Sequence, residues 1–281
     1  HAEVKALEAA GLDAKGATLY VTLEPCNHFG RTPPCTQAII NAGIKKVIYG
    51  VPDPNPSVVG HGSRALREAG IEVEQVFDPV QIALAQALIL PFSKLVQKKR
   101  PYVLAKIACS LDGKIAFKSG VQTQITSLET KILVHKMREA CDAIIVGSGT
   151  FLVDNPQLTA RFEDRPARRQ PIKIVLDRRL RTSPQDQIHR ISRPGESLKE
   201  TLEYLGSLGI SSILVEGGGV LLTSFLEQNQ IDELAWFTAP VILGNQGVPA
   251  ISNLSKALTI SSCQTTEFLS KDRLWLISSV C

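Results

Sequence analysis

Apolar and polar positions along this chain follow two rhythms, one helical and one alternating, which trade places at short intervals. Residues 2–11 carry Ala2, Ala6, Leu7 and Ala10 on one helical face, with Gly11 as a stop. A strand is predicted at Ala17–Leu23, then a helix at Thr36–Ala42 closed by Gly43, and a strand at Lys46–Gly50. Asp53–Gly62 reads as a loop of Pro, Gly and Asn, followed by a helix at Ser63–Ala69 and a strand at Ile71–Val76. Strands alternating with helices over short connections imply a largely parallel sheet in three α/β layers. Val80 to Val96 is an apolar helical stretch that should break at Pro91, where a backbone donor is lost.

The polar, charged run Gln97-Lys98-Lys99-Arg100-Pro101 is the expected boundary between domains at 1–97 and 101–281. Beyond it a second α/β unit is predicted. Its strands are Tyr102–Ala108, Ala143–Val146, Ile172–Asp177, Ser212–Val215, Glu233–Ala239 and Arg273–Ser278, and its helices Leu128–Ala140 and Val220–Gln228. The halves share no internal repeat.

At 281 residues the chain has room for two cores, and its 44% hydrophobic and 21% charged content is that of a soluble globular protein. The net charge of +4 is spread evenly, without a basic stripe interleaved with aromatics, which argues against a nucleic-acid groove. No apolar run is expected to be long enough to span a bilayer, and no signal peptide with a charged start and an apolar core is read. Cysteines 26, 35, 109, 141, 263 and 281 lack a disulfide rhythm and suit a reducing cytoplasm. The chain begins on a candidate ligand, not on methionine, and is read as a fragment.

Candidate chemistry starts at that first residue. His1-Ala2-Glu3 opens a helix, Cys26 follows Leu23-Glu24-Pro25 at a strand end, and Cys35 follows a double proline before a helix. Imidazole and two thiolates are zinc ligands that leave a fourth position for water, and the helix start favours thiolate at Cys35. Glu3 would be the non-ligand acid that moves protons, as in zinc deaminases with a His-x-Glu and Pro-Cys-x-x-Cys signature, although here eight residues separate the cysteines. His28 reads as a pocket or loop residue more readily than as a ligand. In the second unit, Ile213-Leu214-Val215-Glu216-Gly217-Gly218-Gly219-Val220 is a strand, a glycine turn and a helix start. Such a turn lets backbone N–H groups approach a pyrophosphate, but alone it is as compatible with a tight structural turn. Polar turns at Ser110–Ala116 and Val146–Thr150, and the loop carrying Asp154 and Arg161, also fall at strand ends, where open sheets bind ligands.

The string from Val21 to Cys35 resembles the bacterial riboflavin-biosynthesis bifunctional deaminase/reductase family, as do Asp53-Pro54-Asn55-Pro56 and Gly60-His61-Gly62. His61 stands where the family usually has another basic residue. Nearly the whole chain takes part in the resemblance. It implies a zinc cytidine-deaminase-like three-layer domain followed by a dihydrofolate-reductase-like α/β domain, with Zn2+ and NADPH as cofactors. His1, Cys26 and Cys35 then match metal ligands and Glu3 the catalytic acid–base. Ala108, Thr150, Asp154 and Gly218, Gly219, Val220, Leu221, Leu222, Thr223 and Ser224 match nicotinamide-cofactor positions. Arg138, Leu158, Arg161 and Glu216 match substrate positions, the arginines suiting a sugar 5′-phosphate. Gln122-Thr123-Gln124-Ile125-Thr126 departs from the family's Ser-x-Trp-Ile-Thr; Gln122 can still bond substrate, but Gln124 lacks a ring to stack. Arg178-Arg179-Leu180-Arg181, with Arg178 foremost, offers positive charge for a cofactor 2′-phosphate and so favours NADPH, although a surface charge cluster would read the same way.

The implied activity is deamination of a diaminopyrimidinone nucleotide, then reduction of its ribosyl group to ribityl. The rivals are a reductase whose deaminase half is structural and, more remotely, a nucleic-acid deaminase. The expected partner is a small molecule, with no nucleic acid and no membrane, and self-association stays open. By the same resemblance the family's first helix and pair of strands precede His1, so a chain starting there is expected to hold zinc loosely and deaminate poorly.

Overall fold

Short β-rich segments pair in register to build the first sheet of the computed structural model. Residues 1–29, 33–56, 58–183, 188–191, 195–267 and 271–280 are described. Gly30-Arg31-Thr32 of the cysteine loop, and Cys281, lie outside them. The chain divides into two units, His1–Lys98 and Lys99–Cys281.

The first unit runs Ala2–Ala10 (α1), Thr18–Leu23 (β1), Cys35–Asn41 (α2), Lys46–Val51 (β2), His61–Glu68 (α3), Glu72–Gln75 (β3) and Pro79–Lys98 (α4). The strands lie parallel in the order β1-β2-β3, with Thr18 opposite Lys46 and Lys46 opposite Glu72. Leu19, Val47 and Val73 of the sheet meet Ile39 of α2 and Leu66 of α3 in one core, each contributing about 1.5–3 kcal/mol on burial. The face of α1 differs from expectation. Leu7 packs on this core, whereas Ala2, Ala6 and Ala10 are exposed, because a methyl group offers little area to bury.

The break expected at Pro91 does not occur: α4 is one helix of 20 residues with Pro91 inside it. The lost backbone bond is local, and the turns on either side carry on. With a mean hydropathy of 1.4, α4 is also, among the described residues, a helix long and apolar enough to cross a membrane by length and composition. That corrects the expectation that no apolar run is long enough to do so, a length that the glutamines of this stretch mask in the sequence. The helix packs against β1 and β2 through its buried Ala85, so it belongs to the fold of the first unit.

The second unit runs Tyr102–Ser110 (β4), Lys114–Ala116 (β5), Leu128–Ala140 (α5), Ala143–Gly147 (β6), Ser148–Asp154 (α6), Ile172–Leu176 (β7), Ile188–Ile191 (β8) and Leu198–Ser207 (α7). It continues with Ser212–Glu216 (β9), Gly219–Glu227 (α8), Glu233–Ala239 (β10), Val248–Pro249 (β11), Ile260–Glu267 (β12) and Arg273–Val280 (β13). Of these β5, α6, β8, α7, β11 and β12 go beyond the predicted elements. The large sheet has the order β12-β13-β10-β4-β9-β6-β7-β8. It is parallel from β10 to β8, and β13 joins β10, and β12 joins β13, antiparallel.

Both faces of the parallel strands are covered, as such sheets require. Val103, Ala105, Ile107, Ile213 and Val215 face Leu202 and Leu205 of α7 and Phe225 of α8. Ile144, Val146, Val175 and Leu214 pack with Phe151 of α6 and with Leu158 on the other face. Cys109 and Cys141 are buried in these cores, and burial pushes their thiols up, to about 11 and about 12. At the start of the unit Arg100 forks onto Asp232 at 2.7 and 3.0 Å, and Asp232 also accepts from Val103 N at 2.8 Å, pinning β4 beside β10.

Candidate active sites

The C-terminal ends of β1 and β2 carry the first site. Beyond β1 the chain turns through Glu24-Pro25-Cys26, and Glu24 is buried. Its carboxylate accepts from Gly60 N (2.9 Å), Ser63 N (2.9 Å) and Ser63 Oγ (2.7 Å), so it holds the loop before α3 against the cysteine loop. Burial by itself would raise its pKa, and these bonds outweigh that and hold it low. Contact here is tight enough to demand glycine, since a Cβ on Gly62 would lie 1.8 Å from Pro25 O.

His1, Cys26 and Cys35 converge. One ligand atom from each lies within 4.8 Å of the others, with His1 Nδ1 at 3.1 Å from Cys35 Sγ and 3.7 Å from Cys26 Sγ. Tetrahedral zinc with ordinary Zn–N and Zn–S bonds has ligand–ligand edges of about 3.5–3.8 Å, so the donor set fits the ion. Cys35 is the first residue of α2 and is buried. Burial pushes its thiol well up, and Cys26 and Glu3 add to the rise, so the helix start does not prevail by itself; a divalent cation offsets such a cluster. Glu3, in the first turn of α1, lines a cavity of about 460 Å³ together with His1, Cys26, His28, Asp53 and Phe92 of α4. His28 is thus beside the cavity and outside the convergent trio.

In the second unit the strand ends again carry the chemistry. Thr150 Oγ1, in α6, accepts from Gly218 N at 3.0 Å and ties the glycine turn to the end of β6. Gly219 is packed, since a Cβ there would lie 2.5 Å from Pro249 O, whereas at Gly218 it would meet nothing closer than Thr150 Oγ1 at 3.6 Å. The stretch Gly218–Ser224 therefore divides. Val220 is exposed at the open end, while Leu222 and Thr223 turn into the core, Thr223 Oγ1 bonding Gly219 O at 2.7 Å, and Ser224 Oγ bonds Val220 O at 2.9 Å. Leu221 lies against Gly147.

Glu216 ends β9 and receives a fork from Arg138 of α5, Nε to Oε1 at 2.7 Å and Nη2 to Oε2 at 2.8 Å. Arg138 Nη1 also donates to Thr159 O at 3.1 Å. Lys106, absent from the sequence-based candidates, stands across the ladder from Glu216. Burial pushes the Lys106 ammonium down, against the pull of Glu216. For Glu216 burial acts upward, but Arg138 and Lys106 outweigh it and hold the carboxyl low. His135 is pushed down by burial and then by the Arg138 and Arg161 charges.

The remaining candidates are scattered. Arg161 is exposed and bonds Gln157 Oε1 at 2.6 Å, while the Leu158 side chain is in the core, leaving its backbone to meet a ligand. Ala108 packs beside α5, and Asp154 is exposed at the end of α6. Gln122 is exposed and makes no hydrogen bond among the described residues; Gln124, Thr126 and Ser127 line a separate cavity of about 550 Å³ with Lys271 and Asp272. Arg178 is exposed in the turn after β7.

Comparison with known proteins agrees with both halves. Residues 1–51 match the cytidine and deoxycytidylate deaminase zinc-binding region, and residues 101–268 match the RibD C-terminal domain. A riboflavin biosynthesis protein RibD from Aquifex aeolicus (strain VF5) is 41% identical over 271 residues, covering 87% of this chain and 75% of the relative. The Acinetobacter baumannii RibD structure superposes with a TM-score of 0.85 at 35% identity, covering 99% of this chain and 85% of that one. A Thermotoga maritima structure, described as a diaminohydroxyphosphoribosylaminopyrimidine deaminase/5-amino-6-(5-phosphoribosylamino)uracil reductase, gives 0.80 at 32% identity, covering 98% and 83%.

Fold and sites together define a bifunctional enzyme: a cytidine-deaminase-like hydrolase with a zinc-binding region, joined to a reductase domain of the RibD C-terminal type and acting on a small-molecule substrate. The chain belongs to the RibD family of riboflavin biosynthesis proteins.

Proposed function

We propose that the chain performs two successive steps on one pyrimidine nucleotide, with residues 1–97 as the deaminase domain and 101–281 as the reductase domain. The first substrate is 2,5-diamino-6-(5-phosphoribosylamino)pyrimidin-4-one, and the deaminated product is then reduced from ribosyl to ribityl in the cytoplasm. The reading is carried by the convergence of His1, Cys26 and Cys35 beside a cavity that Glu3 also lines.

His1, Cys26 and Cys35 would hold zinc, which when bound makes water nucleophilic near neutral pH. Glu3 takes a proton from the attacking water and returns it to the amine nitrogen, and ammonia leaves. Asp53 and His28 line the cavity where the pyrimidine would lie. In the reductase domain NADPH, when bound, supplies hydride to C1′ of the ribose. Gly218 to Leu221 and Thr150 seat its pyrophosphate, with Ala108, Asp154, Leu222, Thr223, Ser224 and Arg178 completing the cofactor positions. Arg161 and the free donors of Arg138 take the substrate 5′-phosphate, while Glu216, Gln122 and the Leu158 backbone position the rest. The protein's contribution to this step is chiefly orientation.

Zinc analysis and a coupled assay test the reading. Ammonia should be released from the undeaminated nucleotide, and NADPH should be oxidised on its deaminated product. NADPH oxidation without bound zinc or ammonia release would instead make the first domain structural.

A further inference from the structure

We propose that His135 is a positioning residue for the reductase step: its Nδ1, carrying no proton, accepts from Arg161 N and so sets Arg161 for the substrate 5′-phosphate. The inference rests on the reductase reading above.

His135, Arg138 and Glu139 stand at i, i+3 and i+4 on one face of α5, and all three hold the loop that follows α6. That loop needs holding, because Leu158 sits at φ 52, in the left-handed region where a leucine is strained. Gln170 pins Ala160, its Oε1 accepting from Ala160 N at 2.9 Å and its Nε2 donating to Ala160 O at 2.8 Å. Arg165 forks onto Glu139 at 2.8 and 2.7 Å and covers Phe162, whose ring meets that of His135 edge-on with centroids 6.4 Å apart.

The role of the imidazole follows from counting donors and acceptors. His135 Nδ1 lies 3.1 Å from Thr159 O and 3.2 Å from Arg161 N. One ring nitrogen can donate to the carbonyl or accept from the amide, not both. Thr159 O already receives Arg138 Nη1 at 3.1 Å, whereas Arg161 N has no other protein partner among the described residues. Only the acceptor role satisfies both backbone groups, and it requires the tautomer with its proton on Nε2. The surroundings favour the neutral ring. Burial first, then Arg138 of its own helix and Arg161 of the loop, oppose an added proton, against Thr159 O and Glu216 of β9. Arg161 therefore starts from a fixed backbone, which lowers the ordering cost of presenting its guanidinium to phosphate.

Two amides test this, since asparagine places its oxygen where Nδ1 stands and glutamine reaches instead to the position of Nε2. Steady-state reduction by the full chain is measured on the deaminated nucleotide and on its dephosphorylated analogue. His135→Gln should raise KM for the phosphorylated substrate by about threefold to tenfold, with kcat within about twofold and the analogue unaffected. His135→Asn should bring that KM back to within about twofold of wild type. Nitrogen-15 spectra of histidine-labelled protein, with the His135 signals assigned by their loss in His135→Asn, should show Nδ1 unprotonated to below the ordinary histidine midpoint of about 6.5. A proton on Nδ1 at neutral pH, His135→Asn no better than His135→Gln, or equal loss for both substrates would overturn the assignment. A wild type that leaves the nucleotide unreduced would overturn the reductase reading beneath it.

Discussion

Arg138 spends three of its five N–H donors on Glu216 and Thr159, which leaves two for a substrate phosphate. Arg161, by contrast, spends one side-chain donor on Gln157 and stands in solvent. The two arginines should therefore separate on mutation. Arg138→Ala leaves Glu216 buried without its partner and should cost about 3–5 kcal/mol of stability in denaturant unfolding of the second unit. Arg161→Ala should leave that stability intact and weaken the phosphorylated substrate by about 1.5–3 kcal/mol, sparing a dephosphorylated analogue. Asp177 sets a pH dependence. Burial acts to raise its pKa, but hydrogen bonding, chiefly from Thr182 N and Oγ1, outweighs this and holds it at about 2. The folded state thus binds fewer protons than the unfolded one at mildly acid pH. Its contribution is complete above the ordinary aspartate range, near pH 4, and is lost as pH falls towards 2. Acid titration by circular dichroism should show this loss, and Asp177→Asn should flatten it while lowering stability at neutral pH. Glu3→Gln should cut deamination by about a hundredfold or more with zinc content unchanged, since its assigned task is proton transfer, not ligation.

The glycine turn before α8 shows what one element asks of its residues. Gly219 has no room for a side chain against Pro249 and Ala250, whereas Gly218 faces open space. Gly219→Val should lower the melting temperature sharply. Gly218→Val should melt near the wild type but bind NADPH far more weakly; equal loss of both would refute the cradle. The sequence made the turn legible, because strand, glycines and helix start adjoin, but not which glycine does which task. α7 was missed although Ser197 and Glu200 form a capping box around its start, a spacing visible in sequence. α6 was missed too: Gly147-Ser148-Gly149 reads as a turn, and only burial of Ser148 and Phe151 makes it helical. The convergence of His1, Cys26 and Cys35, the proposed zinc ligands, was legible because only a few residue types bind that ion. Lys106 was hidden, since in strand alternation it is one more polar position, and only the register of β4 with β9 sets it beside Glu216.

At the scale of the whole molecule, the two units have separate cores, and the proposed metal site belongs to one of them. A strong chelator should then lower the melting temperature of the first unit and abolish ammonia release, while NADPH oxidation on the deaminated nucleotide persists. Simultaneous loss of both activities would show that the units unfold together. The placement of the cysteines supplies a way to watch this. A thiol reagent attacks a thiolate it can reach. Cys263 is exposed, Cys109 and Cys141 are buried with raised pKa values, and Cys26 and Cys35 would be masked by the ion they hold. Alkylation followed by peptide mass mapping should therefore mark Cys263 at once, Cys26 and Cys35 at the rate at which the metal departs, and Cys109 and Cys141 only as the second core opens. The order in which the label appears becomes a clock for how the molecule comes apart.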